Sequence, residues 1–170
     1  MVVALDFETS SPEPESACAI GMVRVVDRQL GESLYSLIRP PSPRVMYTQI
    51  HGLTWEMLKD APDFVDIWPQ ISEMCADADY LLAHNANFDA RVLRGACRYA
   101  GVRCPALPFL CSLKGSRAAL DIPSRSLNNV CRHLGIELEH HNALSDALAS
   151  AAIYLRLLAM GLPEERMLLS

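Results

Sequence analysis

The chain has 170 residues, 51% of them apolar and 21% charged, and a formal net charge of −5. That length suits a single domain over residues 1–170 rather than two, and the apolar fraction excludes a disordered chain. Its 8 Gly and 11 Pro exclude a collagen-like or low-complexity chain, and no apolar run reaches the roughly 20 residues of a membrane span.

Residues 2–8 read as an apolar strand, followed by strands over 17–26 and 33–38 with a turn near Asp27–Gly31; the short connections predict an antiparallel meander. Thr54 is placed to cap a brief helix running to Lys59. A second helix is expected over Phe64–Ala76, interrupted or started late by Pro69. Tyr80-Leu81-Leu82-Ala83 reads as a short buried strand, and a helix from about Asn87 to Ala100 stops at Gly101. Phe109-Leu110-Cys111 is a weaker fifth strand. Helices over Ser126–Leu134 and Asn142–Met160 end at Gly135 and Gly161, and the tail beyond carries no signal. Strands separated by helices imply right-handed crossovers and parallel pairing of the fourth and fifth. The expected fold class is α/β, a mixed five-stranded sheet flanked by helices.

Six cysteines, Cys18, Cys75, Cys97, Cys104, Cys111 and Cys131, are scattered without a C-x-x-C pair. They predict reduced thiols and a cytoplasmic chain, not a disulfide framework or a zinc knuckle. The chain starts on a strand-like run with no basic lead and no small-residue cleavage site, so no signal peptide is expected. An acidic balance by itself argues against a nucleic-acid partner. Position changes that argument. Residues 90–136 hold Arg91, Arg94, Arg98, Arg103, Lys114, Arg117, Arg125 and Arg132 against Asp121 alone, a local charge of +7. Such a stretch is either a solvated basic face or a phosphate-tracking surface.

Asp6 and Glu8 stand two apart on the first strand and therefore share a face of the sheet, where their neighbours are apolar. Two carboxylates there repel and lose hydration unless a cation joins them. Asp89 heads the stripe Val92, Leu93, Ala96 and Ala100, whereas Arg91, Arg94 and Arg98 share the opposite, exposed face; a helix-dipole role is the bland alternative for this acid. In the last long helix, Leu144, Leu148, Ala151, Leu155 and Leu158 are expected to form the core stripe. Asp146 flanks it beside Ala143, Ala149 and Ser150, and these small residues allow a close approach to the sheet. His141 precedes that helix in a loop. Four acids on three elements suit two divalent cations, Mg²⁺ or Mn²⁺, and a loop histidine suits a general base.

Three segments, Ala4-Leu5-Asp6-Phe7-Glu8-Thr9, His84-Asn85-Ala86-Asn87-Phe88-Asp89 and His141-Asn142-Ala143-Leu144-Ser145-Asp146, carry a family resemblance, together with Ile50-His51-Gly52-Leu53-Thr54. From Val2 to about Leu158 the chain resembles the DEDDh 3′–5′ exonucleases, the group that includes the proofreading epsilon subunit of bacterial DNA polymerase III, exonuclease X, RNase T and oligoribonuclease. The resemblance implies an RNase H-like fold. It implies that Asp6, Glu8 and Asp146 bind a first metal, and that Asp6 bridges to a second one held by Asp89 directly or through water. His141 would deprotonate the attacking water, and a nucleoside 5′-monophosphate would leave from the 3′ end. Phe7, Thr9, His51, His84, Asn85 and Phe88 are the implied substrate-binding positions: Thr9 and its backbone receive the terminal nucleotide, His51 contacts the 3′ end or its phosphate, and His84 shapes the site by hydrogen bonding.

This chain departs from the family pattern in three places. Ser10-Ser11-Pro12 stands where many proofreading members carry a Gly, Asn142 replaces a frequent Arg, and Cys111-Ser112 replaces a frequent Asp-Thr. His133 and His140 are expected at the surface and Trp68 in the core, while Trp55 either packs inside or stacks on a base. The expected substrate is a single-stranded or frayed 3′ end of DNA. RNA trimming, or a non-catalytic module bound to nucleic acid or to a DNA polymerase complex, is the alternative.

Overall fold

The computed structural model describes residues 1–139 and 141–169, so the expectation for His140 lies outside the described residues. Strands β1 (Val2–Thr9), β2 (Ala17–Val26), β3 (Gln29–Leu37), β4 (Tyr80–Ala83) and β5 (Phe109–Cys111) form one sheet in the order β3-β2-β1-β4-β5. The first three pair antiparallel, and β4 and β5 pair parallel to β1 and to each other. Among the described residues no helix is long and apolar enough to cross a membrane, and all six cysteines are free.

Alternation along β1 assigns its two faces. Val3, Leu5 and Phe7 join one core with the buried residues of α3 (Phe64–Met74) and α4 (Ala86–Ala100). Val2 and Ala4 join a second core with α6 (Leu127–Leu134) and α7 (Ala143–Ala159). Period two then turns Asp6 and Glu8 toward α7. Helices α4 and α6 end where expected, on Gly101 at φ +69° and Gly135 at φ +66°, a left-handed C-cap that costs glycine little.

Several local expectations are corrected. β3 begins at Gln29, because the β2–β3 reversal takes only Asp27 and Arg28, at φ 50° and 62°; a tight turn of that hand matches the strand twist, and Gly31 lies inside the strand. Pro69 does not interrupt α3, whose start is fixed by a reciprocal capping box between Asp63 and Asp66. Two helices without a periodic signal, α1 (Thr48–His51) and α5 (Ser112–Ala119), are present. Between α1 and α3 lies α2 (Trp55–Leu58), with Thr54 at its N-cap position but no side-chain capping bond. Trp68 is partly buried and packs on Phe64 with ring centroids 5.8 Å apart. The tail is structured: Met167 is fully buried, Leu168 bridges to Leu110, and backbone bonds join Cys111 to Met167 and Leu169 to Phe109 at 2.8 Å.

The most consequential correction concerns α7. Its buried residues are Ala143, Asp146, Ala147, Ala149, Ser150, Ala151, Ile153, Tyr154 and Leu157, so Ala151 is buried as expected, whereas Leu144, Leu148, Leu155 and Leu158 are only partly buried. Asp146 therefore stands on the sheet-facing stripe rather than beside it. Across the gap, Gly21 pairs with Asp6 in the β1–β2 ladder, and a Cβ there would come within 2.3 Å of the backbone of Ala143 and Leu144. Only glycine on one side and small residues on the other allow backbone-to-backbone approach, so the bulky leucines are displaced to the flanks.

Gly21→Ala is expected to force α7 off the sheet, because the clash is with main chain and no rotamer change relieves it. Denaturant unfolding should show a loss of about 3 kcal/mol. A loss below about 1 kcal/mol would mean that the helix start is free to shift.

Candidate metal and nucleic-acid site

The acids converge where the sheet runs out. Pairing between β1 and β4 stops at Ala4↔Leu82, while β1 continues to Thr9. Past that point the Phe7 N–H has no β4 partner and donates instead to Asp89 Oδ1 at 3.1 Å. Asp89 is 1% exposed and lies in the first turn of α4, so the carboxylate is both a substitute strand partner and a charge at a helix N-terminus. Asp146, 4% exposed, comes from the other side on the first turn of α7. The ligand atoms of Glu8, His141 and Asp146 lie within 4.8 Å of one another.

Crowding shows in the proton affinities. Burial, then Asp89, Asp146 and Glu8, push the Asp6 carboxyl well above its ordinary range. Burial and Asp146 push Glu8 up to about 7. Asp89 is pushed up to about 8, mainly by burial, against the stabilising bonds it accepts from backbone N–H groups. Oxygen donors that repel one another in a partly dry site suit a hard divalent cation, which removes the reason for each to hold a proton.

The remaining predicted positions fall around this cluster. His141 is exposed and left-handed, at φ +66°, immediately before Asn142, whose side chain caps α7 by accepting from the Ser145 N–H at 3.2 Å. The residue that replaces a frequent Arg is thus committed to holding the helix start that carries Asp146. His51 accepts from the Leu53 N–H at Nδ1 (3.0 Å), which leaves Nε2 to donate to the Thr9 carbonyl at 3.2 Å. Burial lowers its proton affinity and nearby His141 lowers it further, against the Thr9 bond. Thr9 is buried. The Phe7 side chain, 2% exposed, belongs to the core with α3 and α4, so what Phe7 offers the site is its backbone. Phe88 packs partly buried against the same core, and Asn85 is exposed at the N-cap of α4. Trp55 lies partly buried against Leu53 and Leu58 and lines a cleft with Phe64 and Tyr99; His133 is exposed.

His84 follows directly on the end of β4, the strand beside β1. Its Nδ1 is 2.9 Å from Ser112 Oγ and its Nε2 2.9 Å from the Arg125 carbonyl. Ser112 is fully buried, and its own carbonyl accepts from Ser116. Gly21 carries no signal in the sequence analysis, and Ser112 enters there only as a departure from the family pattern, with no role in the site. For Ser112 a signal existed, a hydroxyl residue beginning a segment opposite His84 in the parallel ladder, where Ala83 pairs with Cys111.

The raised carboxyls have a thermodynamic consequence. Each binds a proton more tightly in the folded chain than its ordinary value of 3.8 or 4.5 allows, so folding takes up protons between that range and about 7 for Glu8 or about 8 for Asp89. Stability of the metal-free protein should therefore fall as pH rises through that window. Thermal unfolding in a chelating buffer should lose several degrees between about pH 5 and about pH 8.5. Excess Mg²⁺ or Mn²⁺ should restore most of it at the upper end only. A flat or rising profile without metal would contradict the crowding.

Comparison with known proteins agrees with this architecture. An exonuclease family profile, RNase T, matches residues 3–154. The PolC-type DNA polymerase III of Thermotoga petrophila is 32% identical over 162 residues, a match covering 93% of this chain but 12% of that protein, so the chain spans about an eighth of such relatives. Exonuclease X, solved in complex with 5′ overhanging duplex DNA, superposes with a TM-score of 0.80 at 24% identity, covering 98% of this chain and 97% of that one. The nuclease domain of 3′hExo, a DEDDh family member solved bound to rAMP, gives 0.81 at 16% identity, covering 99% and 96%. At those identities the two structures speak for the shared RNase H-like fold. With the matched profile and the three motifs in place on that fold, the chain belongs to the DEDDh 3′–5′ exonuclease family.

Proposed function

We propose that this chain, as a single domain over residues 1–170, is a metal-dependent 3′–5′ exonuclease. It would release nucleoside 5′-monophosphates from single-stranded or frayed 3′ ends of DNA, in proofreading or repair and in the cytoplasm. The observation that carries the reading is the gathering of Glu8, His141 and Asp146 within 4.8 Å, with Asp6 and Asp89 electrostatically tied to the same cluster. Asp6, Glu8 and Asp146 would hold one divalent cation, and Asp6 and Asp89 a second. Two such ions, when bound, acidify a water and stabilise the leaving 3′ alkoxide.

The chain's own groups do the rest. His141 accepts the water's proton at a ring nitrogen. Its exposure allows that proton to pass to solvent, and the neighbouring His51, already disfavoured as a cation, stays neutral and keeps its Nε2–H on the Thr9 carbonyl. That bond fixes the backbone at the end of β1, where the terminal nucleotide would sit. The loop after it, Ser10–Ser16, is closed by a backbone bond from Ser10 to Ser16 and pinned to α4, where Pro14 lies over Gly95 and Arg91 bonds the Pro12 carbonyl. Serine here does not leave the segment loose. The PolC-type relatives support DNA as substrate and a polymerase as partner.

With 5′-labelled single-stranded DNA, mispaired duplex and RNA, and with Mg²⁺ or Mn²⁺, a ladder shortening from the 3′ end is expected on DNA. Chelator and Asp146→Ala should abolish it. Inertness on every substrate would overturn the enzymatic reading, and preference for RNA would overturn the DNA one. His141→Ala should lower the rate about 10²- to 10⁴-fold with metal affinity near intact. Because His141 lies as close to Glu8 as a ligand would, a metal titration decides this, and collapse of affinity would make it a ligand.

A further inference from the structure

The positive stretch between the second and third motifs does not form one surface. Arg91, Arg94 and Arg98 lie exposed on the outer side of α4, whereas Arg117, Arg125 and Arg132 border two adjoining clefts of about 840 and 400 Å³ that share Pro123 and Ser124. Neither cleft has an acid in its lining. In a chain of net charge −5 that is selective, and Asp121, the one acid of the stretch, does not line either. The ion pairs found among the described residues use Met1, Arg24, Arg39 and Lys59, so none of them neutralises these three arginines.

The larger cleft is lined by His84 and Asn85, which lead from the end of β4 into α4, the helix whose first turn carries Asp89. His84 ties the segment before α6 to the sheet through the Arg125 carbonyl, which gives the cleft a fixed wall. Two helices begin at its lining, α4 after the N-cap Asn85 and α6 after the N-cap Ser126, and neither side chain caps its own helix. The Arg125 Nε is buried with no hydrogen-bond partner. Among the described residues no Phe, Tyr or Trp lines either cleft, and the His84 ring is held at both nitrogens by Ser112 and Arg125, so what the larger cleft offers is chiefly charge and hydroxyls.

We propose that the cleft formed by His84, Asn85, Arg117, Ser124, Arg125 and Ser126, continued past Ser124 to Arg132, carries the phosphodiester backbone of the substrate strand upstream of the bond being cut. This rests on the nuclease reading above and adds to it a path and a recognition mode. The strand leaves the acids over the 122–126 segment, held by its phosphates and indifferent to its bases.

The test measures binding apart from turnover. In an Asp146→Ala background with Ca²⁺, fluorescence anisotropy follows labelled 12-residue oligo(dT), 12-residue oligo(dA) and a dinucleotide. Arg117→Gln plus Arg125→Gln should weaken both 12-mers at least about tenfold. It should flatten the dependence of log Kd on log salt by about 1.4, or about 0.7 for each lost contact. The dinucleotide, whose one phosphodiester is the bond being cut and which carries no phosphate upstream of it, should lose less than about a third of that factor. Arg125 also bonds the Leu120 carbonyl, so Arg117→Gln alone, which breaks no internal bond, should flatten the slope by about 0.7. An unmoved slope in both variants, or an equal loss on the dinucleotide, would overturn the track. Failure of the unmutated protein to digest any strand would overturn the nuclease reading instead, and the anisotropy would still decide the cleft.

Discussion

Backbone contact between the start of α7 and β2 is the constraint on which the rest of the site depends. Gly21 stands opposite Asp6 in the ladder, and the main chain of Ala143 and Leu144 occupies the space a side chain would need. Because the helix touches the sheet there, its first turn lies over the face that carries Asp6 and Glu8, and Asp146 arrives buried. The capping bond of Asn142 holds the same turn, and His141 precedes it in a left-handed conformation that turns the chain sharply into the helix. One close contact thus determines where two of the five acid and histidine positions, His141 and Asp146, stand.

The carboxylates are held together against their own repulsion. Tight packing on both faces of the sheet, with α3 and α4 on one side and α6 and α7 on the other, supplies the burial energy that offsets four acids converging on one end of β1. Such a cluster is electrostatically unfavourable when ionised without a cation to join it. Asp89 contributes twice, since it also satisfies the Phe7 amide that the short β4 leaves exposed.

Much of this was legible from local patterns. The D-x-E spacing gave the shared face, the stripe headed by Asp89 gave a buried acid, and the glycines at 101 and 135 ended helices where expected. The α7 face was legible only in part: the small residues beside Asp146 announced a close approach to the sheet, but not which side of the helix is innermost. By hydropathy Leu144, Leu148, Leu155 and Leu158 should have been innermost, yet proximity favoured Ala143, Ala147 and Ser150, because close approach is decided jointly by two segments more than 120 residues apart. No window of sequence contains that information. Helices α1 and α5 were missed for a related reason: α1 is a single turn and α5 is held by Ser112 and Gly115 against other elements rather than by a long apolar stripe. The basic stretch was visible as charge, but its division between two sides of the molecule required the crossover geometry.

The tail that returns along β5 makes the two borders of the sheet unequal. Leu168 and its neighbours occupy the outer side of β5, and the Lys114 ammonium bonds the Leu168 carbonyl, so that border is closed by the chain itself. β3, mostly exposed along its nine residues, is the border left open. Among the described residues an added strand would find an open sheet border only along β3, two strands away from the acids, so pairing there would leave the acids uncovered.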